Sequence, residues 1–211
     1  NDTDTNAWFE IKSMKNIQYK REDDSGIYDA MNKGLALSDK NDYVWFLNSG
    51  DQNILDVERL KSSLRHAEDN KFDIIKFDCT VNKLVKREIV NKFFLIFNSP
   101  NHQSIFINKR IHNIFYTDLR LASDYGNFIN IFFKHKPKIL YVYKSIVEYD
   151  MSGITAQQSQ KNRIRLERLK SSYRCIKSTG NFFPVLILII QSIMYVPYFI
   201  FPNIKLKRFK D

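Results

Sequence analysis

Residues 41–51 read NDYVWFLNSGD. The almost continuous apolar run from Tyr43 to Leu47 is stopped by Asn48, Ser49 and Gly50. A run of this kind reads as a buried strand of a mostly parallel sheet, and the residues that stop it favour a tight turn. Asp51 is then expected just past the strand's carboxyl end. Working outward, FDIIKFD from Phe72 and KILYVY from Lys138 are further strand candidates. Helical patterns fall between them, at Val57 to His66 (Val57, Leu60, Leu64) and at Asp124 to Phe133. Strands alternating with helices indicate an α/β domain with a mixed, mostly parallel sheet flanked by helices.

At 211 residues the chain can hold one well-cored domain plus an appendage. Its formal net charge of +10 suits anionic partners: nucleic acid, an anionic membrane surface or phosphorylated small molecules. No nucleic-acid partner is expected, because no binding module is recognisable and the basic residues concentrate beside an apolar segment. Cys79 and Cys175 are the only cysteines, without zinc-ligand or Cys-x-x-Cys spacing, so neither a disulfide scaffold nor a structural metal is expected, and a reducing cytosol fits. The opening Asn1-Asp2-Thr3-Asp4 carries no basic-then-apolar leader and reads as a chain joined partway through.

The composition changes near Gln157, which divides residues 1–156 from an appendage at 157–211. Within the appendage, QKNRIRLERLKSSYRCIK (160–177) places Leu166, Leu169, Tyr173 and Ile176 on one helical stripe among seven Lys and Arg residues. This is a basic amphipathic helix. Phe182 to Phe201 follows without a charge, interrupted in polarity only by Gln191, Ser192 and two prolines. Its length just suffices to cross a bilayer. Basic residues on both flanks prefer the cytoplasmic side, and an in-plane or re-entrant segment bent near Pro197 would keep both there. A true crossing and a buried helix of a soluble protein are the alternatives. The expected location is peripheral or monotopic, on the cytoplasmic face of a membrane.

In open α/β sheets ligands bind outside the carboxyl ends of the strands. Asn48 and Asp51 stand there with hard oxygen ligands that suit Mg²⁺ or Mn²⁺ bridging to phosphate; an ordinary turn would favour the same residues. Upstream, DDSGIYDAMNKG (23–34) offers Ile27, Ala30, Met31 and Gly34 as a packing face, with Tyr28, Asp29, Asn32 and Lys33 on the remainder. Asp24-Ser25-Gly26 can form a turn whose N–H groups point outward, as phosphate-binding loops do. A solvated polar face with an Asp cap is the plainer reading.

The whole stretch DDSGIYDAMNKGLALSDKNDYVWFLNSGD (23–51) resembles the nucleotide-sugar site of family 2 glycosyltransferases of the GT-A type, in the bacterial surface-polysaccharide branch. Three further ordered matches are similar to that family: NHQSIFI at Asn101, LASDYGNF at Leu121 and YDMSGIT at Tyr149. The resemblance implies a GT-A, Rossmann-like fold and a nucleoside-diphosphate sugar donor. Donor contacts then fall to Asp4, Asp24, Gly26, Tyr28, Asp29, Asn32, Lys33, Asn48 and Ser49. Asp51 is the one carboxylate left in the region of the family's D-x-D metal motif, where Asn48 replaces the first acid and Gly50 stands at a position that is often acidic. Asp124 matches the catalytic base, and His102 and Gln103 match a segment that could touch donor or acceptor. A first-turn acid behind Ser123 remains the structural reading of Asp124. Trp8 and Trp45 are expected to pack rather than to hold sugar, and His66, His112 and His135 share no usable spacing. Almost all of the family's opening strands lack a counterpart here, so the domain is expected to be N-terminally incomplete.

The expected function is an inverting, metal-dependent transfer of sugar, from UDP or a related nucleotide, to a membrane-linked glycan acceptor in surface-polysaccharide biosynthesis. The alternative is a catalytically impaired, membrane-associated homologue or scaffold.

Overall fold

The computed structural model describes residues 20, 22–48, 51–149, 158–180 and 182–200. In chain order the helices and strands are α1 (Ile27–Ala36), β1 (Tyr43–Val44), β2 (Gln52–Asn53), α2 (Val57–Asp69), β3 (Ile74–Val81), β4 (Leu84–Lys86), α3 (Phe94–Phe97), β5 (Ile105–Asn108), α4 (Ser123–Lys134), β6 (Ile139–Tyr149), α5 (Lys161–Thr179) and α6 (Phe182–Ile200). A 3₁₀ turn at His102–Ser104 precedes β5.

The sheet has the order β1-β5-β3-β6-β2, with β4 paired to β3 off this path. Its centre is β3, buried continuously from Ile74 to Cys79. Alternation along the strand sends Ile75, Phe77 and Cys79 to one face, where they pack with Leu55, Ala67, Phe106, Ile146 and Val147 under α2. Asp56 starts α2, its carboxylate accepting the Arg59 N–H at 2.9 Å. Ile74 turns to the opposite face, into the larger core built from α3, β5, α4, Cys175 of α5 and Ile187 of α6.

The sheet is mixed, and its described pairings are not mostly parallel. Among the described pairings only β3–β6 is parallel; β1–β5, β2–β6, β3–β4 and β3–β5 are antiparallel. Connection length explains this. The β3–β4 link is a two-residue turn at Asn82-Lys83, both at positive φ (50° and 64°), which forces an antiparallel hairpin. Parallel return requires a long crossover, and α4 supplies it ahead of β6. The run at Tyr43 to Leu47 also differs from its reading. Only Tyr43 and Val44 pair, on β5, and the segment is half-buried with Leu47 exposed, because it ends the described sheet order rather than lying at its centre.

The appendage is not separate from this core. Helix α4 is buried at every residue from Tyr125 to Phe133, and α5 lies closely against it at Gly126. A Cβ at Gly126 would lie 2.9 Å from Ser171 Oγ and 3.2 Å from the Tyr116 ring. The inward face of α5 is therefore small and polar: Glu167, Ser171, Ser172 and Cys175 are buried, while Leu166 and Tyr173 of the expected apolar stripe are exposed. Helix α6 buries Ile187, Gln191 and Tyr195 and exposes Phe182, Leu186, Ile189, Ile193 and Val196. Gln191 Nε2 donates to Tyr125 Oη at 2.6 Å and to the Ile96 carbonyl at 3.2 Å, and its Oε1 accepts from Ser172 Oγ at 3.1 Å. The polar break in the apolar run is thus the point that docks α6. Among the described residues, no helix is long and apolar enough to cross a membrane.

Candidate active site

A cavity of about 1150 Å³ opens where α1, Asn48, Asp51, the His102–Ser104 turn, the start of α4 and the first turns of α5 converge. Gly26, Tyr28, Asp29, Asn48, Asp51, His102, Gln103 and Asp124 all line it. Residues separated by almost the whole domain in sequence thus share one wall.

Asp124 sits in the first turn of α4, where the helix dipole favours a carboxylate. Tyr28 reaches it from α1, its hydroxyl donating to Asp124 Oδ1 at 3.1 Å. Burial, and then the charge of Asp124, push the Tyr28 phenol far above its ordinary value, so it stays protonated and remains a donor. His102 Nδ1 lies 3.5 Å from Asp124 Oδ2, and its Nε2 is 3.4 Å from Asn48 Nδ2. Gln103 Nε2 donates to Asp51 Oδ2, while Gln103 Oε1 is buried without a partner among the described residues. Trp45 packs flat on Phe106 at 4.9 Å and donates its indole N–H to the Gln103 carbonyl at 2.7 Å, in keeping with a packing role.

The face that α1 buries differs from its reading in sequence. Tyr28, Met31 and Leu35 face inward, whereas Ile27, Ala30 and Gly34 are exposed. Stacking of Tyr28 on Phe115 at 5.6 Å fixes this rotation. Gly26 precedes the helix at φ 133°, a region where a side chain is strained, and its N–H donates to Asp24 Oδ1 at 2.8 Å.

Asp24, Asn32 and Lys33 are not among the residues lining the cavity. Asn32 is engaged in both directions with Phe115, accepting its N–H at 2.8 Å and donating to its carbonyl at 3.0 Å. Lys33 pairs with Asp29 at 3.3 Å. The Ser25 N–H, and then Lys33, hold the Asp29 carboxyl below its ordinary value. Asp4, Ser49 and Gly50, together with Trp8 and residues 150–155 of the YDMSGIT segment, lie outside the described residues.

Several supporting residues escaped the sequence reading. Lys76, only 2% exposed, donates from β3 to Ser104 Oγ at 2.8 Å and to the Phe77 carbonyl at 2.6 Å, and lies 3.5 Å from Glu88. Burial lowers its pKa, with Glu88 opposing. Glu88 accepts the Asn101 N–H at 3.0 Å, and Asn101 Oδ1 accepts the Gln103 N–H at 3.0 Å. The turn carrying His102 and Gln103 is thus held from beneath by a buried ion pair. Glu167 does the same for Asp124: its carboxylate accepts the N–H groups of Arg120, Leu121 and Ala122 at 3.2, 2.7 and 3.0 Å, immediately before α4. The sequence signal for Lys76 was a charge at an inward position of an apolar strand; for Glu167 it was an acid in an otherwise basic helix.

Among the described residues, no three His, Cys, Asp or Glu side chains gather as a metal-binding group. Of the residues expected to hold a metal, Asp51 stands in the cavity wall, with one carboxylate oxygen accepting from Gln103 Nε2.

Neither a protein-family model nor a curated protein matches the sequence. The crystal structure of S. aureus TarS residues 1–349 does match in three dimensions, with a TM-score of 0.61 over 96% of this chain. The two chains share a fold. At 14% identity the likeness is one of fold, and this chain spans 64% of the length of that structure.

Proposed function

We propose that this chain is an inverting glycosyltransferase that moves a sugar from a nucleoside-diphosphate donor, UDP in the first instance, to a glycan acceptor. The observation that carries this reading is the Asp124 carboxylate, held by the Tyr28 hydroxyl beside His102 in a cavity whose wall also includes Asn48 and Asp51. The likeness of fold to TarS, a glycosyltransferase, supports the reaction class.

The chemistry asks for one base. Asp124 takes the proton of an acceptor hydroxyl as that oxygen attacks the anomeric carbon; the bond from this carbon to the donor phosphate breaks on the opposite face, and its electron pair leaves with the diphosphate. No acid need protonate the leaving group. A divalent cation, Mn²⁺ or Mg²⁺, would be held by Asp51 and would supply charge neutralisation of the departing diphosphate. Tyr28 and His102 orient Asp124, and the unpartnered Gln103 Oε1 is suited to accept a sugar hydroxyl. Gly26, Asp29 and Asn48 line the donor side, with Asp24, Asn32 and Lys33 supporting the loop and helix that carry them.

We assign the protein's working surface to an anionic lipid face, on the cytoplasmic side of the membrane. The uncharged outer face of α6 and the exposed Lys170 and Lys177 of α5 suit shallow, in-plane contact, and a lipid-linked acceptor would be held there. The test of the reaction is UDP release from a panel of UDP-sugars with Mn²⁺ and a bacterial membrane extract. Release by the parent chain and its loss in Asp124→Asn support the reading; equal release by both removes Asp124 from the reaction.

A further inference from the structure

One guanidinium in the cavity wall is left with unused donors. Arg168 of α5 lines the cavity, and its Nε and Nη2 are both buried without a hydrogen-bond partner among the described residues. Its Nη1 donates to the Phe97 carbonyl at 3.3 Å, and its Cζ lies 4.3 Å from the centre of the Tyr125 ring, the residue next to Asp124. Stacking offsets part of the cost of burying a cation, but not the cost of two buried N–H groups that bond to nothing.

The nearby carboxylates do not fill this gap. Glu167 accepts three backbone N–H groups and the Arg163 Nε at 3.1 Å. Glu88 is occupied by Lys76, Lys86 and the Asn101 N–H. Asp124 is engaged by Tyr28 and His102. Arg120 and Arg163 meanwhile add two further cations to the same cavity wall.

We propose that this side of the cavity is an anion subsite, centred on Arg168 with Arg163 and Arg120 beside it, for a phosphate or carboxylate carried by the acceptor. A planar fork of N–H donors matches both groups, and a guanidinium turned into the cavity would offer a bound oxyanion the two donors that no described residue accepts. Placing the anion on the acceptor rests on the glycosyltransferase reading; the anion subsite itself does not.

The experiment is calorimetric titration of the full chain with inorganic phosphate and with glucuronate, in the parent, Arg168→Met and Arg120→Ser. UDP with Mn²⁺ is titrated into the same samples. The expected result is anion binding that weakens about tenfold or more in Arg168→Met and by a smaller factor in Arg120→Ser, with UDP binding unchanged. Preference for phosphate identifies a phosphate-bearing acceptor, and preference for glucuronate an acidic sugar. Should Arg168→Met fail to fold by circular dichroism, Arg168→Lys and the exposed Arg120→Ser decide. Absence of binding, binding indifferent to these variants, or phosphate displaced by UDP overturns the subsite. Loss of UDP binding with Arg168-dependent anion binding retained would instead overturn the donor reading and leave the subsite standing.

Discussion

At the scale of single residues the proposed transfer depends on Asp124. Asp124→Asn keeps the size of the side chain and removes the base, so turnover is expected to fall by about 10²- to 10⁴-fold with UDP binding unchanged, read by UDP release beside calorimetry. His112 offers an independent check on the packing beneath this site. It is packed against Phe46 and Phe115, and burial lowers its pKa to about 4. Between pH 6.5 and 4 the unfolded chain takes up a proton that the folded chain refuses. Stability is therefore fully present above pH 6.5 and is lost as pH falls toward 4, by about 2 kcal/mol between pH 7 and 5. Urea denaturation at those two pH values should show this loss in the parent, and His112→Gln should lose correspondingly less. Much at this scale was legible in sequence. Tyr28, Asn48, Asp51, His102, Gln103 and Asp124 belong to short segments whose residue types announce chemistry, and the fold brings all six to one cavity. Lys76 and Arg168 were not legible, because the value of a charge depends on which distant carbonyl, ring or carboxylate it meets.

At the scale of elements, the appendage reads differently in three dimensions. The stripe of Leu166, Leu169, Tyr173 and Ile176 made α5 a basic amphipathic helix in sequence, and the side chains that the helix buries in the fold are Glu167, Ser171, Ser172 and Cys175. Close approach to Gly126 demands small residues there, and periodicity alone does not see a partner helix. Gly126→Ala places a methyl against Ser171 Oγ and the Tyr116 ring, and should destabilise the fold by roughly 1–3 kcal/mol. Adding Ser171→Ala should recover part of that loss in thermal unfolding, whereas purely additive losses would argue against this contact. Gln191→Leu leaves the Ile96 carbonyl and the Tyr125 and Ser172 hydroxyls without their partner and should cost about 1–3 kcal/mol. A neutral or stabilising substitution would mean that α6 is not docked through Gln191.

At the scale of the molecule, alternating strand and helix patterns were enough to give an α/β domain, and strand direction was not. Tyr43 to Leu47 read as a buried strand of a mostly parallel sheet, while the fold makes Tyr43–Val44 a short antiparallel partner of β5, since pairing is decided by connection lengths that no single run encodes. The basic and apolar appendage was legible as a feature, but its packing onto α4 and the cavity was not. Both roles can be separated experimentally: Ile189→Glu with Ile193→Glu alters only exposed positions of α6 and should reduce flotation with anionic vesicles while leaving the melting temperature near that of the parent. Unchanged flotation would remove α6 from membrane contact. Binding of a nucleoside-diphosphate donor in this cavity is read out by the thermal shift of the chain with UDP and Mn²⁺, beside Asp51→Ala. Binding to the folded state alone raises the melting temperature. The expected result is a metal-dependent rise in the parent that is lost in Asp51→Ala; no rise in the parent, or an equal rise in both, would contradict it.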